Sequence, residues 1–220
     1  MPDDLTDELV SPVNCALSQV IYGLHAAGLR FGDTLLIQGA GGLGIQATAV
    51  AKEMGARVIV VDQISGRLEL AQAFGADHTI NLKEVPDRKE RVKRVRELTG
   101  GRGADVACDF VGFPQVIPEG LEMLRFGGTY LEIGTISRGV KVELEPATLV
   151  WGSKTIVGVV MYDPWVIPRA LDFLGRNKSR LPFGRVLSHT FPLEKIDEAF
   201  RASEWLNRDT TTITRAAITP

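Results

Sequence analysis

From Thr34 onward, short apolar runs rich in valine and isoleucine alternate with segments whose apolar residues recur at helical spacing. This alternation is typical of β-α-β units, in which helices cover both faces of a parallel sheet. The pattern predicts an α/β fold with a doubly wound, six-stranded parallel sheet. The predicted helices cover residues 43–54, 65–74, 87–98 and 116–124. The predicted strands cover residues 34–38, 57–62, 78–81, 105–111, 129–133 and 155–160.

Glycines mark the ends of the predicted helices. One glycine lies just past each predicted helix, where a left-handed residue often ends a helix: Gly55, Gly75, Gly100 and Gly127. Another helix is predicted over residues 12–27, before the first strand. Ser11 is its expected N-cap and Gly28 its expected stop.

Beyond Met161 the alternation changes. Residues 164–174 and 196–202 have helical spacing, whereas residues 185–191 and 214–219 are extended. Two isolated extended segments around a helix add no seventh β-α-β unit, and such segments more often pair outside the main sheet. We therefore predict a sheet domain over residues 1–161 and a separate C-terminal segment over residues 162–220.

A glycine motif follows the first predicted strand, with Gly39, Gly41 and Gly44 spaced as GxGxxG. The motif alone is weak evidence, but here it lies inside a β-α-β unit, and an acid ends the second strand. Gly39 allows a tight turn, Gly41 lets the backbone approach a pyrophosphate, and Gly44 lets helix and strand pack closely. The helix dipole attracts phosphates to this turn, where Gly42 is a further expected contact. The motif predicts a Rossmann-type dinucleotide site. The alternative, a turn without a ligand, leaves the acid unexplained.

Asp62 is that acid, at the end of an otherwise apolar strand. Its carboxylate is placed to accept hydrogen bonds from the adenosine ribose and to repel a 2′-phosphate, so NAD is preferred over NADP. Arg67 offers a cation nearby that would soften the preference, or it is simply a solvated helix residue.

Two further strand ends are candidates for cofactor contacts, because ligands bind outside the carboxyl ends of strands in open parallel sheets. One comprises Val111 and Gly112, and the other comprises Ile133, Gly134 and Thr135. Each glycine has an equal alternative as a loop residue with positive φ.

Composition narrows the classes of function. Hydrophobic residues make up 45% and charged residues 24% of the 220 residues, which favours a folded protein over a disordered one. A formal net charge of −2 gives no global basic field for nucleic acid or an anionic membrane. The first ten residues are acidic, unlike a signal peptide, and no apolar run is as long as a membrane span. We expect a cytoplasmic protein with no nucleic-acid or membrane partner.

The basic run over residues 87–98 has nucleic-acid binding as its alternative interpretation. Apolar residues at helical spacing and three interspersed acids instead predict a solvated helix face. Cys15 and Cys108 are too few for a disulfide framework and too far apart for a CxxC motif, which fits a reducing compartment.

Several motifs together resemble the zinc-dependent medium-chain dehydrogenases of the alcohol dehydrogenase type. They are GAGGLG with its helix, the strand end at Asp62, SGRLELAQAFGADHTIN and the closing LSHTFPLEKIDEAF. The resemblance extends from about Pro12 to the C-terminus. It implies that a catalytic domain precedes the Rossmann sheet in the family and is absent from this sequence. It also implies that residues 162–220 return to that domain.

The resemblance also implies individual cofactor contacts. Leu43 would lie behind the nicotinamide ring, Asp62 and Arg67 at the adenosine, and Arg215 near the pyrophosphate.

Backbone groups of Ile133, Val159 and Met161 would meet the nicotinamide carboxamide. Gln19 stands where many family members have threonine beside the nicotinamide, so packing there departs from the family pattern.

Cys15 matches the family cysteine that enters the catalytic zinc site, although a small buried thiol is the alternative. Cys108 lies in an apolar strand and is expected in the core. A catalytic zinc needs three protein ligands. His25, His78 and His189 offer no obvious replacement and are expected to be structural or solvated. We therefore expect the complete enzyme to act on an alcohol or carbonyl with NAD and zinc, and this chain alone to be inactive.

Three alternatives stay open to different degrees. A zinc-independent quinone or enoyl reductase is disfavoured by GAGGLG, Asp62 and Cys15. A short-chain dehydrogenase is weaker, because no tyrosine has a lysine four residues later. A non-catalytic NAD-sensing or assembly module is compatible with the sequence, since the apolar run TIVGVV would form a sheet edge and favour a homo-oligomer.

Overall fold

The computed structural model describes residues 4–203 and 214–219. Its main sheet has six parallel strands in the order β3-β2-β1-β4-β5-β6. This is the doubly wound Rossmann topology, so the predicted fold class is confirmed. The strands are β1 Thr34–Gln38, β2 Arg57–Asp62, β3 His78–Asn81, β4 Ala104–Asp109, β5 Leu124–Glu132 and β6 Thr155–Gly158.

Two clusters of buried apolar side chains lie on opposite faces of this sheet. Leu35 and Ile37 of β1 belong to one cluster, and Leu36 between them belongs to the other. The strands are apolar at successive positions because both faces are covered by helices. The described helices are α1 Asp7–Val10, α2 Ser18–Ala26, α3 Gly42–Glu53, α4 Ser65–Ala73, α5 Arg88–Leu98, α6 Val116–Met123, α7 Pro146–Gly152, α8 Val166–Asn177 and α9 Ile196–Ser203.

The strand register brings polar residues to the carboxyl edge of the sheet. Gln38 at the end of β1 pairs with Asp109 at the end of β4. Asp109 pairs in turn with Glu132 at the end of β5, and Asp62 ends β2 on the other side of β1. Three acids thus end strands on the edge where an open parallel sheet binds ligands.

The segment before β1 differs from the single capped helix predicted over residues 12–27. A π-helical turn, Val13–Leu17, precedes α2. Ser11 is not the N-cap, because its hydroxyl donates to the carbonyl of Glu8 and it ends α1. The predicted stop at Gly28 is correct, with φ +75°.

The other departures concern element ends and two short helices, α1 and α7, that were not predicted. β5 begins at Leu124, earlier than predicted, because an irregular register near its start lets it pair with Ala104. β4 and β6 end two residues earlier than predicted. α7 was not predicted, since it has no buried residue and therefore no apolar stripe.

The described residues after Met161 add no strand to the main sheet, as predicted. α8 buries Ala170, Phe173 and Leu174 against the core. The two extended segments, β7 His189–Pro192 and β8 Ala216–Thr219, pair with each other in parallel.

The basic run in α5 is not a uniformly solvated face. Arg91 is 9% exposed, and its guanidinium makes two hydrogen bonds, of 2.6 and 2.9 Å, to the carboxylate of Glu119. It also donates to the carbonyls of Val85 and Pro86. The prediction of a solvated face was therefore wrong for Arg91, which fastens α5 to α6.

Candidate functional site: the carboxyl edge of the sheet

The glycine turn has the tight geometry that its motif predicts. Gly39 has φ +97°, and its amide donates to the carbonyl of Val61 at 2.8 Å, which ties the turn to β2. A β-carbon at Gly44 would lie 1.9 Å from the carbonyl oxygen of Gly39. Only glycine fits at Gly44, so α3 starts directly against the end of β1.

The start of α3 has room for an anion. No described atom lies within 4 Å of a β-carbon built on Gly41, the N-cap of this helix. Among the described residues no side chain caps this helix, so its first amides are not taken by such a cap. Free amides and the helix dipole together suit a phosphate. These features fit the pyrophosphate of a dinucleotide.

Arg215 reaches this turn from the C-terminal segment. Its Nε lies 3.0 Å from the position of a β-carbon on Gly42. The carbonyl of Arg215 accepts hydrogen bonds from the amide of Ser188, at 2.9 Å, and from its hydroxyl, at 3.1 Å. The junction between β7 and β8 therefore holds a cation beside the amides of α3. Leu43 is half-buried and packs on the core cluster.

Asp62 lies at the end of β2 and is 7% exposed. One carboxylate oxygen accepts from the amide of Ala40 at 2.7 Å, and the other accepts from the amide of Ile64 at 2.8 Å. Each oxygen has a second lone pair for another donor, such as a ribose hydroxyl. Arg67 is half-buried in the first turn of α4.

The end of β4 is organised by Asp109, a fully buried carboxylate. One of its oxygens accepts from the amides of Val111, at 2.6 Å, and Gly112, at 3.2 Å. Gly112 has φ +84°. A β-carbon at Gly134 would lie 2.6 Å from the other oxygen. The two predicted glycines thus allow the loops after β4 and β5 to meet at Asp109.

Glu132 lies beside Asp109 at the end of β5. The amide of Thr135 donates to Glu132 at 2.8 Å, and the hydroxyl of Thr135 donates to Asp109 at 3.2 Å. Burial raises the pKa of Glu132 to about 7; the hydrogen bond from Thr135 opposes this shift, and the charge of Asp109 adds to it. Near pH 7 the Glu132 carboxyl is therefore protonated in about half of the molecules, and it lies next to the hydrogen-bond acceptor Asp109.

The sequence pattern alone did not lead to a prediction of Asp109 or Glu132 as site residues. The signal was present, because each is an acid at the end of an apolar strand, as Asp62 is. A second polar pair, also not identified, lies behind them, where the hydroxyl of Tyr130 donates to the side-chain oxygen of Gln38 at 2.7 Å.

The end of β6 is tied to α2 and β5. The amide of Val159 donates to the carbonyl of Glu132 at 3.0 Å. The side-chain nitrogen of Gln19 lies 3.5 Å from the carbonyl of Val159 and 3.3 Å from that of Val160. Met161 is exposed just beyond. Gln19 therefore links α2 to the backbone that was predicted to meet the carboxamide.

Ile133, the remaining predicted contact, is buried at the end of β5. Its Cδ1 lies 2.7 Å from the position of a β-carbon on Gly23. This close approach sets the distance between α2 and the sheet edge.

The described residues do not form a complete zinc site. Cys15 is exposed in the π-helical turn, and Cys108 is buried, as predicted for a core residue, with its thiol pKa raised by burial. Within residues 4–203 and 214–219, no group of three or more His, Cys, Asp or Glu is arranged to hold a metal ion. His25 packs edge-on against Trp165, with ring centroids 5.6 Å apart.

Comparisons with known proteins agree with this geometry. A family model for the zinc-binding dehydrogenases matches residues 42–176, which begin at the first residue of α3 and include all of α3 to α7. This chain belongs to the zinc-binding dehydrogenase family. The match also covers Asp62, Asp109 and Glu132.

Relatives of this zinc-binding dehydrogenase chain are themselves named dehydrogenases. The 5-exo-hydroxycamphor dehydrogenase of Pseudomonas putida is 30% identical over 207 residues, which cover 93% of this chain and 56% of that protein. The erythritol/L-threitol dehydrogenase of Mycolicibacterium smegmatis is 32% identical over 191 residues, covering 85% and 49%. The chain thus spans about half the length of the curated relatives it matches.

A solved structure has the same fold. An alcohol dehydrogenase from Thermotoga maritima superposes with a TM-score of 0.88 at 26% identity, covering 98% of this chain and 59% of that one. None of the helices in residues 4–203 or 214–219 has the length and apolar character needed to cross a bilayer.

Proposed function

We propose that this chain binds NAD(H) across the carboxyl edge of its six-stranded sheet. In this proposal it is the cofactor-binding part of an oxidoreductase that transfers hydride between an alcohol or carbonyl substrate and nicotinamide. The observation that carries the proposal is the open turn at Gly41, which leads into the start of α3 with Arg215 beside Gly42.

Each end of the dinucleotide has a matching group in this chain. The amides at the start of α3 and the guanidinium of Arg215 bind the pyrophosphate. Asp62 accepts hydrogen bonds from the adenosine ribose, and its charge disfavours a 2′-phosphate. Arg67 contacts the adenosine. These groups give the chain a preference for NAD over NADP.

The nicotinamide end is bound by the loops that follow β4, β5 and β6. Backbone groups of Ile133, Val159 and Met161 hold the carboxamide, and Leu43 lies behind the ring. The bound NAD supplies the carbon that accepts or donates hydride. The role of the chain is to orient that ring toward the substrate.

Zinc enters this proposal only through Cys15, an exposed thiol that serves as one ligand in the complete enzyme. Its other ligands are not among the residues that the structure describes. No step of substrate activation is therefore assigned to this chain, and we expect it to bind NAD(H) without catalysing alcohol oxidation alone.

Calorimetric titration with NAD⁺ and, in parallel, NADP⁺ tests the proposal. The wild-type chain should bind NAD⁺ more tightly than NADP⁺. Asp62→Asn should weaken NAD⁺ binding about tenfold, because it removes a charged acceptor. Asp172→Asn is the matched control, since Asp172 forms an exposed ion pair on α8 and should leave binding unchanged.

The outcomes separate the candidate functions. A folded chain that binds neither cofactor contradicts the proposal. Tighter binding of NADP⁺ favours the zinc-independent quinone or enoyl reductase. Binding of NAD⁺ with no dehydrogenase activity in the complete protein favours the non-catalytic module. Zinc-dependent alcohol oxidation by this chain alone contradicts the expected inactivity.

We further propose a homo-oligomer that associates through β6. This strand lies at one edge of the sheet, with Ile156 39% exposed on it. Nearby, Val150 and Trp151 are 76% and 84% exposed. A lysine on an edge strand opposes pairing with another strand. Ile156→Lys should therefore yield monomers in sedimentation velocity, whereas Val140→Lys should not.

The free thiols of Cys15 and Cys108 support a reducing, cytoplasmic location.

A further inference from the structure

The buried acids at the ends of β4 and β5 have no role in the site proposed above. Asp109 is fully buried and Glu132 is half-buried, yet neither forms a salt bridge within the described part of the chain. Two adjacent buried carboxylates are unfavourable when both are ionised, because like charges repel strongly away from water. Their placement therefore needs a proton or another compensation.

The hydrogen-bond pattern identifies where the proton resides. Asp109 already accepts from two amides and from the hydroxyl of Thr135, as an ionised carboxylate does. Glu132 accepts one bond, from the amide of Thr135. Its second oxygen, Oε2, is buried and has no hydrogen-bond partner in the part of the chain that the structure describes. A proton on Glu132 turns this oxygen into a donor to Asp109.

We propose that Glu132 shares a proton with Asp109 and, in its neutral form, positions the loops after β4 and β5 for the nicotinamide end of the cofactor. The inference rests on the proposed function. Asp109 holds the amides of Val111 and Gly112, and Thr135 bridges both acids, so the shared proton joins the two loops. Glu132 is a positioning residue, because it acts through these loops.

The surrounding groups offer no substitute for this proton. Among the described residues, Asp109 on β4 is the titratable group that acts on Glu132, and Cys108 on β4 and Glu119 on α6 act with both carboxyls on the neighbouring Tyr130 of β5. All of these groups are acids, and Glu119 is neutralised by Arg91. Loss of the proton leaves two ionised carboxylates next to each other. It also leaves Oε2 of Glu132 as a buried acceptor without a donor among the described residues. We expect the loops to separate and the cofactor to bind more weakly.

The pH range of this effect follows from the pKa of the Glu132 carboxyl. Burial raises the pKa of Glu132 to about 7, so the proton is present at about pH 6 and lost at about pH 8. NADH is the appropriate probe, because its ring is uncharged and gains nothing from a nearby carboxylate. If only the neutral form positions the loops, the Kd for NADH rises by up to about tenfold over this range.

The test combines NADH fluorescence titrations with ¹³C NMR of the glutamate carboxyls of the same chain. We expect one glutamate to titrate near neutral pH, to disappear in Glu132→Gln, and to share its midpoint with the change in Kd. Glu132→Gln keeps a donor to Asp109 without an ionisable proton, so its Kd should not vary with pH. Glu97→Gln, an exposed change at the opposite edge of the sheet, should keep the wild-type pH profile.

Two results would overturn the inference: a Glu132 carboxyl that titrates in the ordinary glutamate range, or a wild-type Kd that is flat with pH. If the wild-type chain binds no NADH at any pH, the proposed cofactor site fails separately. The amide NMR signals of Val111, Gly112 and Thr135 then decide the inference. In the wild type, the chemical shifts of these amides must change with pH at the same midpoint as the Glu132 carboxyl, and in Glu132→Gln they must not. Amide shifts that do not change at this midpoint refute the proposal that Glu132 positions the two loops.

Discussion

Arg215 packs its guanidinium group against Gly42, with Nε 3.0 Å from the position of a β-carbon there. The contact places a cation from the C-terminal segment at the start of α3. We predict that Arg215→Ala weakens NAD⁺ binding about tenfold or more, because a charged hydrogen bond to phosphate contributes about 1.5–3 kcal/mol. Calorimetry measures this loss. Arg185→Ala removes an exposed cation from the same segment and should have no effect; equal losses would assign the effect to net charge.

Gly41 and Gly44 should respond differently to the same added methyl group. Gly41→Ala meets no described atom within 4 Å, so the free energy of unfolding should change by no more than about 1 kcal/mol. The methyl group would block the approach of a pyrophosphate, and NAD⁺ binding should fall at least about tenfold. Urea unfolding and calorimetry on the same sample test both parts.

Gly44→Ala should instead destabilise the fold. Its β-carbon would lie 1.9 Å from the carbonyl oxygen of Gly39, and the backbone must move to relieve that contact. We expect a loss of about 3 kcal/mol or more in the free energy of unfolding. Gly66→Ala is the control, because its β-carbon meets open space on α4. Similar urea midpoints for the two variants would contradict the prediction.

The bond between Tyr130 and Gln38 should contribute to stability from inside the sheet edge. Tyr130→Phe leaves the side-chain oxygen of Gln38 without this buried donor, which costs about 1–3 kcal/mol. Tyr162→Phe removes a hydroxyl that donates to Asn14 at an exposed position, and the loss should stay below about 0.5 kcal/mol. Equilibrium unfolding in urea compares the two, and equal effects would refute the difference.

Asp105 should stabilise the opposite edge of the sheet in a pH-dependent way. Burial opposes its ionisation, but hydrogen bonds from Arg125 and the amide of Thr34 outweigh burial and hold the pKa of Asp105 below 3.8. A lowered folded pKa gives stability that is complete above the unfolded value and is lost as the pH falls through the folded value.

Asp105→Asn should therefore destabilise the chain by about 2 kcal/mol near neutral pH. The difference from wild type should shrink as the pH falls below about 3.8 and toward the lower folded pKa. Urea unfolding at several pH values checks this trend. A difference that stays constant down to about pH 2 would show that ionisation of Asp105 contributes nothing.

The sequence predicted the first three strands with their observed bounds, and for β1 and β2 polar or glycine positions flank a clear apolar run. It did not predict α7, since Pro146–Gly152 buries no side chain and leaves no periodic signal. A short exposed helix such as α7 is thus missed, whereas the exposed strand β6 was still predicted from its apolar run.

The residues of the candidate site also differ in whether the sequence alone predicts them. The turn at Gly39 is local and was predicted from spacing, whereas the position of Arg215 came only from a family resemblance, because chain pattern does not specify such distant contacts. Asp109 and Glu132 were missed for a third reason. Each is an acid at the end of an apolar strand, but their pairing becomes visible only when the register of β4 and β5 is known.

Asp62 also constrains how this protein would evolve. Its two oxygens hold the amides of Ala40 and Ile64, so a lineage that loses the carboxylate to admit a 2′-phosphate also releases two backbone groups. A neutral replacement must restore an acceptor for Ala40, or a second mutation must do so. A change from NAD to NADP at this position is therefore expected to need paired substitutions, because one change alters cofactor preference and weakens the hydrogen bonds of the glycine turn together.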